Sequence, residues 1–285
     1  MSLAAEKPVS AKTRTIVWKT KGMPTQDGAG VKLTRLIGTP HLQDVDPFLM
    51  LDTFRSDNPD DYIAGFPEHP HRGFETLSYM IKGRIAHADN HGGKGLVTDG
   101  GVQWMTAGRG VAHSEMPAQT NGQLFGFQLW INLPAAEKMR DPWYADIPAS
   151  AIPSFEVDGA SVKLIAGEWS GHKGPAPDRT TKLFIADVTL AAGNGISIPV
   201  PEGHAGFVYV FEGSLDVAGQ TVGSGEIGVL SSGADLRAAA GGNGARFLII
   251  AGKPIREPIA KYGPFVMNTT DEIRRAIQDY QSGKF

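Results

Sequence analysis

Two short motifs place side chains that can bind a metal ion at matching spacings. The first is His69-Pro70-His71, and the second, about forty residues further along, is His113-Ser114-Glu115. In an extended strand, residues i and i+2 project to the same side, so each motif offers two donor groups to one ion. Pro70 also restricts His69 to an extended conformation, which stiffens the first pair. Donor pairs on two separate strands can therefore converge on one face of a β-barrel.

The donor set indicates which metals such a site would take. Three imidazoles and one carboxylate suit Fe, Mn, Co, Ni, Cu or Zn. A single His-x-His motif is usually the polar face of a strand, but two paired motifs among only eight histidines favour a metal site. Glu75, four residues after His71, is an alternative fourth ligand. The remaining histidines have no partner at this spacing and are predicted to be solvated or locally hydrogen-bonded: His41, His87, His91, His172 and His204.

The composition excludes several classes of protein. The chain has 285 residues, a hydrophobic content of 41%, a charged content of 20% and a net charge of -3. This charge, without any Lys/Arg-rich block, argues against direct nucleic-acid binding. The absence of cysteine excludes disulfides, thiolate metal sites and cysteine nucleophiles. Neither a signal peptide nor an apolar run near the ~20 residues of a membrane span is present, so we predict a cytoplasmic protein with no membrane contact.

Short strands separated by tight turns must position the two motifs. The 36 glycines and 19 prolines lie in clusters between β-rich runs, which is typical of antiparallel β structure. A weak internal repeat, GFETLSYMIKGRIAHA against GFVYVFEGSLDVAG, indicates two related barrels joined near residues 148–153. The predicted strands are 14–19, 31–37, 47–54, 74–83 and 125–134 in the first half, and 155–166, 182–190, 205–217 and 245–252 in the second.

The end of the chain has a different pattern. Thr269 and Glu272 have the spacing of a capping box. Gly283 is a suitable C-terminal stop for the helix that would follow. One helical face then carries the apolar residues Ile273, Ala276, Ile277 and Tyr280. We therefore predict a short amphipathic helix near 270–282 that packs back on a barrel.

Taken together, these segments resemble the cupin pattern, and most closely the pirin family, which has two cupin domains. The matching stretches are DPFLMLDTF, GFPEHPHRGFETLSYMIKGRIAHADNHGG, GVQWMTAGRGVAHSEMP and the C-terminal KYGPFVMNTTDEIRRAIQDYQSGKF. The resemblance implies an all-β bicupin of two antiparallel β-barrels, of jelly-roll type, with a short C-terminal helix. It predicts an N-terminal cupin with the metal site at 9–148, a C-terminal cupin without a metal site at 149–262, and a tail at 263–285 that packs on the first domain.

The resemblance also implies a ligand set. It assigns the metal to His69, His71, His113 and Glu115, and it leaves Glu75 a structural or supporting role. The implied ion is Fe(II), with Ni, Co, Mn, Cu or Zn as alternatives. Two roles stay open for Glu115: a ligand that only holds the metal, or a weakly held carboxylate that shifts away and acts as a general base.

Two functions are compatible with these features. Members of the family include quercetin 2,3-dioxygenases, so the favoured prediction is a metal-dependent dioxygenase that cleaves a flavonol such as quercetin with O2. The alternative is a non-enzymatic, iron-dependent redox-sensing or regulatory protein, which would bind a protein partner instead of a small aromatic substrate.

The residues around the motifs have two interpretations. Arg72 and Arg109 could orient an anion, but arginines at a barrel rim more often pair with acidic neighbours. Aromatic and apolar side chains could line a pocket, although each suits a core position better: Phe48, Phe54, Phe66, Trp104, Met105, Phe125 and Phe127.

Overall fold

A computed structural model describes residues 12–285, which form an almost entirely β structure. Three 3-10 turns, Pro59–Asp61, Ala135–Glu137 and Ala149–Ala151, interrupt the strands. The first thirteen strands are β1 Thr13–Arg14, β2 Ile16–Lys21, β3 Met23–Asp27, β4 Val31–Ile37, β5 Phe48–Ser56, β6 Phe66–His71, β7 Phe74–Lys82, β8 Ile85–Asp89, β9 Lys94–Val97, β10 Val102–Thr106, β11 Val111–Pro117, β12 Leu124–Asn132 and β13 Trp143–Ile147.

The second half of the chain continues in the same style and ends in the one α-helix of the described residues, α1, Thr270–Gln281. Its strands are β14 Ser154–Val157, β15 Ala160–Ala166, β16 Glu168–Trp169, β17 His172–Lys173, β18 Phe184–Leu190, β19 Gly195–Pro199, β20 Ala205–Val217, β21 Gln220–Gly223, β22 Glu226–Leu230, β23 Asp235–Gly252, β24 Ala260–Tyr262 and β25 Phe265–Met267.

Two sheets form the first unit. A seven-stranded sheet has the order β13-β10-β7-β12-β5-β4-β3, and a four-stranded sheet has the order β6-β11-β8-β9. Buried residues from both sheets, among them Met80 of β7 and Ile85 of β8, pack in one apolar cluster between them. The two motifs predicted to bind a metal lie in the same space, because they are carried by β6 and β11.

The large sheet has a second buried face. Strand alternation sends Leu77 and Phe127 to the side opposite the small sheet, where they pack against Phe207 and Ile250 of the second half. A large apolar core therefore joins the two halves. The second half has its own core as well, built within a ten-stranded sheet of order β14-β15-β18-β23-β20-β22-β2 with β1, β19 and β21 at its sides.

The predicted fold is confirmed, with one refinement. Both units are antiparallel apart from the short β1–β23 pairing, and a single helix closes the chain. The strand order of each sheet runs between two edge strands, so the jelly-roll units are open rather than closed barrels. The predicted division at residues 149 and 263 stays a prediction. The pairing of β1 with β23 and of β2 with β22 places residues 13–21 in the sheet of the second half.

The C-terminal tail is a hairpin followed by the helix. β24 pairs with β25, and buried Phe265, Ile273 and Ala276 form an apolar cluster with it. The predicted capping box is present, since Thr269 and Glu272 exchange both hydrogen bonds, and Gly283 follows the helix with a φ of 71°. Among residues 12–285, no helix has the length and apolar character needed to cross a bilayer.

Candidate metal centre

Neighbouring antiparallel strands bring the two motifs together. β6 pairs with β11 so that His113 lies directly opposite His69, and His71 lies opposite Val111. A regular ladder would place Glu115 opposite Pro67, but it pairs with Phe66, so one extra residue is inserted on β6. β11 itself pairs regularly with β8. His113 and Glu115 therefore keep the i, i+2 alternation and both point into the space between the sheets.

Three imidazoles form a compact cluster. Their ring centres lie 4.6 Å apart for His69 and His71, 4.6 Å for His69 and His113, and 5.0 Å for His71 and His113. One nitrogen of each ring lies within 4.8 Å of the corresponding nitrogen of the other two. Among the residues that the structure describes, this is the only such group of potential metal ligands. Three of the four predicted ligands are thus brought together.

The protonation of the cluster fits a metal ligand set. His69 Nδ1 lies 2.8 Å from the carbonyl oxygen of Pro67, and because a carbonyl only accepts, Nδ1 donates this hydrogen bond and Nε2 is the nitrogen left to face a metal. Burial lowers the pKa of His71 well below its usual value and the pKa of His113 to about 4, helped by the neighbouring imidazoles. Metal ions bind neutral imidazole, so these rings are ready to act as ligands.

Two buried ring nitrogens support the same fit. Within the described chain, His71 Nδ1 and His113 Nε2 are buried without a hydrogen-bond partner. Such groups cost free energy unless something else satisfies them. Imidazoles that are buried, neutral and short of partners are what a transition-metal site requires of its protein.

Glu115 lies beside the cluster and outside the group of three. Its carboxylate is buried and accepts two hydrogen bonds, from Gln128 Nε2 at 2.7 Å and from Ser78 Oγ at 3.2 Å. Both donors come from the large sheet that faces β11. The carboxylate is therefore held in place by its neighbours, and each oxygen keeps lone-pair capacity for a further partner.

A cleft opens onto the histidines. Its volume is about 710 Å³, and its walls include His69, His71, Met50 and Trp130. Aromatic rings fix the inner wall, because the ring centres of Phe74 and Trp130 lie 5.1 and 5.3 Å from that of His71. The histidine cluster is thus accessible from one side and packed against aromatic side chains on the other.

Glu75 is excluded as the alternative fourth ligand. It is fully buried on the opposite face of β7, where it accepts a hydrogen bond from Thr106 Oγ1 at 2.6 Å and lies 3.5 Å from Arg179 of the second half. Burial raises the pKa of its carboxyl group. Sequence spacing could not show this, because a turn of the chain separates His71 from β7 and resets which face each residue occupies.

The two arginines beside the motifs pair with acidic neighbours. Arg72 binds Asp279 of α1 at 2.9 Å, and Arg109 binds Asp141 at 2.8 Å. Arg72 is buried, and its guanidinium also stacks 4.4 Å above the ring of Phe285. The strand that holds His71 is in this way anchored to the C-terminal tail.

The preference for core positions over pocket walls is confirmed for six of the seven aromatic and apolar candidates. Of the seven candidates, only Phe66 lines the cleft. The others occupy apolar cores, as their bulk and alternation favoured: Phe48, Trp104, Phe125 and Phe127 in the core between the halves, Phe54 in the core between the two N-terminal sheets, and Met105 in a small cluster with Val111.

Other histidines lie outside the cluster. His87 is buried and binds Asp146 at 3.0 Å, His172 stacks on Phe155, and His204 Nε2 donates to the carbonyl of Lys182 at 2.7 Å.

Sequence reasoning missed Gln128, Ser78 and Trp130 at the site itself. A signal for Gln128 was present, since it is the one polar residue in the run LFGFQLWI and therefore needs a polar partner once buried.

Comparisons with known proteins agree with this geometry. The Pirin family profile matches residues 30–131, and the Pirin C-terminal cupin domain profile matches residues 185–285. A Pseudomonas aeruginosa protein provisionally named a quercetin 2,3-dioxygenase is 48% identical over 272 residues, covering 92% of this chain and 94% of its own length. Human pirin is 40% identical over 264 residues, covering 90% and 89%.

A solved structure shares the whole architecture. The crystal structure of a quercetin 2,3-dioxygenase from Acinetobacter baumannii superposes with a TM-score of 0.90 and 35% identity, covering 96% of this chain and 99% of its own. Sequence motifs, fold and family profiles therefore lead to one conclusion: this chain belongs to the pirin family.

Proposed function

We propose that the protein is a metal-dependent dioxygenase that cleaves flavonols such as quercetin with O2. The observation that carries the proposal is a cluster of three imidazoles, two of which line an open cleft of about 710 Å³. This volume falls within the roughly 300–1,000 Å³ of typical small-molecule sites. The names of the Pseudomonas and Acinetobacter relatives support the choice of reaction.

His69, His71, His113 and Glu115 are the ligands in this proposal. Fe(II) is the proposed ion, while Ni, Co, Mn, Cu and Zn suit the same donors. When bound, such an ion supplies Lewis acidity toward an enol hydroxyl and, for a redox-active metal, electrons for O2. Buried imidazoles are neutral at physiological pH, so no proton has to leave His71 or His113 before a metal binds.

The protein's own residues would orient the substrate and exclude water. Trp130 and Phe66 offer flat apolar faces for a planar ring system, and Met50 adds an adaptable thioether wall. Removing water from this cleft strengthens every electrostatic interaction inside it. A three-ring flavonol could thus present its 3-hydroxyl to the histidines while its other rings lie against the apolar wall.

Glu115 is the residue whose role the proposal leaves to experiment. Its hydrogen bonds from Gln128 and Ser78 hold the carboxylate and support the ligand role. The general-base role requires it to accept the 3-hydroxyl proton at one carboxylate oxygen. Loss of activity with metal retained in Glu115→Gln would favour the base, and loss of both would favour the ligand.

The test begins with metal analysis of protein purified without added metal. The protein is then loaded with each candidate ion, and O2 uptake and CO release are measured with a small flavonol panel. We expect uptake that needs both metal and flavonol, stops on chelation, and is absent in His71→Ala. If the metal-replete protein binds its ion but consumes no O2 with any flavonol, the dioxygenase proposal fails and the regulatory alternative takes its place.

A further inference from the structure

The cleft wall carries two cations with different surroundings. Arg35 is neutralised, because its guanidinium binds Asp52 at 2.7 Å and Asp27 at 2.9 Å. Lys261, on β24, also lines the cleft. Within the described chain, no carboxylate lies within 4.0 Å of its ammonium group, and no hydrogen bond engages it. Lys261 is therefore the cation of this wall that is available to a ligand.

A short chain of contacts connects this ammonium group to the histidines. Lys261 Nζ lies 5.2 Å from the ring centre of Trp130, and that ring lies 5.3 Å from the ring of His71. A planar aromatic ligand that meets the cluster at one end can follow the face of Trp130 and reach Lys261 at the other. The cation–π contact holds the ammonium group in position before any ligand arrives.

The ammonium group of Lys261 lies near charges of both signs but pairs with none of them. Burial and the nearby Arg35 lower the pKa of Lys261, while Asp52 and Asp44 act in the opposite direction from beyond ion-pair distance. Glu68 also lines the cleft, but it adjoins His69 on β6, whereas Lys261 lies on the hairpin of the C-terminal tail. Because the ammonium group of Lys261 has no ion-pair partner, a ligand with an acidic substituent would place that substituent at Lys261 and its enol at the histidines.

We propose that Lys261 is a specificity residue that binds an anionic substituent, such as a carboxylate, sulfonate or phenolate, on the part of an aromatic substrate remote from the histidines. The aromatic core of that substrate rests on the function proposed above, while the acidic substituent rests on Lys261 alone. The substrate class becomes an aromatic enol with an acidic group, and uncharged flavonols bind more weakly.

The test compares matched ligands on protein loaded with Zn(II), which has no redox chemistry and so permits binding without turnover. The probes are 3-hydroxyflavone and two derivatives with one sulfonate on either end ring, measured by equilibrium dialysis. We expect at least one sulfonated probe to bind about five- to tenfold more tightly than 3-hydroxyflavone, which is about 1–1.4 kcal/mol for a partly exposed ion pair. Higher salt should reduce this preference.

Variants separate charge from shape. Lys261→Met keeps the apolar stem over Trp130 and should abolish the preference, while affinity for 3-hydroxyflavone changes less than about twofold. Lys261→Arg should retain the preference. Lys94→Met, a change at an exposed lysine on β9 outside the cleft, should behave like the unaltered protein.

Each outcome bears on the proposal. Equal affinity for all probes, failure of every probe to bind, or a preference that survives in Lys261→Met overturns it. A preference carried by Lys261 in a protein that never consumes O2 would support the anion subsite while rejecting the dioxygenase. O2 uptake with 3-hydroxyflavone and no sulfonate preference would support the dioxygenase and reject the anion subsite.

Discussion

The two halves of the molecule share a local motif but differ in what surrounds it. In the first half, His71 stands two residues before Gly73 and three before Phe74; in the second, His204 stands at the same distances before Gly206 and Phe207. Phe74 and Phe207 are both fully buried. Phe74 begins β7 and Phe207 is the third residue of β20, and each is followed by a glycine with positive φ, Gly83 directly after β7 and Gly213 within β20. The strand-and-turn frame is therefore common to both.

The difference lies in the neighbouring side chains. His71 has two imidazoles within contact distance, and one of them arrives from the adjacent strand β11. His204 donates to the carbonyl of Lys182, and the only other histidine of residues 149–262 is His172, which stacks on Phe155. A cupin frame alone does not assemble a histidine cluster, because the cluster needs side chains supplied by two strands at once.

The largest expected effect comes from breaking the cluster. Replacing His71 by Ala should lower metal affinity by more than about 100-fold, since even residues that only support ligands contribute about 10–100-fold. The matched change His204→Ala should leave metal content unchanged. Mass spectrometry of bound metal and chelator competition measure both. Equal loss in the two variants would mean that the halves do not differ as described.

Low pH should destabilise the first half of the metal-free protein. Unfolded His113 takes up a proton near its ordinary pKa of 6.5, but buried His113 does so only at about 4. The stability that buried, neutral His113 contributes is therefore complete above pH 6.5 and is lost as the pH falls toward 4. This loss lowers the free energy of unfolding by about 3 kcal/mol.

Urea titrations of chelator-treated protein between pH 7 and pH 4 measure this loss. His113→Asn should reduce the pH dependence and leave the part that buried His71 causes, whereas His204→Asn should keep it in full. A dependence that remains unchanged in His113→Asn would show that other groups cause it.

Loss of a hydrogen bond that holds the Glu115 carboxylate should have a smaller effect on metal affinity. Gln128→Leu removes the shorter of the two hydrogen bonds to its carboxylate and should lower metal affinity about tenfold. The control is Gln220→Leu. Gln220 is an exposed glutamine in the sheet of the second half and donates to the carbonyl of Ile16 at 3.2 Å, so its replacement should not change metal affinity. Isothermal titration with the preferred ion distinguishes them. An unaltered affinity in Gln128→Leu would argue that Glu115 needs no orientation by the facing sheet.

The smallest effect concerns the tail. Asp279→Asn weakens the ion pair to buried Arg72, next to His71, and should lower the melting temperature by about 2–4 °C. Asp271→Asn removes a highly exposed pair with Arg274 on the same helix and should change it by less than about 1 °C. Differential scanning calorimetry of both variants checks this. If the two shifts are equal, the ion pair between Arg72 and Asp279 stabilises the protein no more than an exposed pair on the surface of the helix does.

Much of the fold was predictable because its signals are local. The predicted strand at 31–37 coincides with β4, that at 205–217 with β20, and the helix near 270–282 with α1. Period-two alternation and the capping box depend only on near neighbours, so one sequence suffices. The convergence of His69, His71 and His113 was also predictable, because residue spacing fixed their directions.

Other features depend on which strands face one another. The face of Glu75, the contact of Gln128 with Glu115 and the position of Lys261 in the cleft all arise between segments far apart in the chain. A strand pattern specifies an inside and an outside, but the large sheet here is buried on both faces, and sequence cannot say which core a residue enters. That ambiguity is why sequence alone left a cleft position open for aromatic residues that lie in the cores.

The pairing of β2 with β22 has a consequence for synthesis on the ribosome. Ile16 and its neighbours emerge first, but their partners at 226–230 are translated about two hundred residues later. At roughly 5–20 residues per second, the leading strand waits at least ten seconds as an unpaired edge. The first unit can assemble meanwhile, because its two sheets use only residues 23–147. β2 can join the second sheet only once residues 226–230 have been made, and the central strand β23 follows later still, at 235–252.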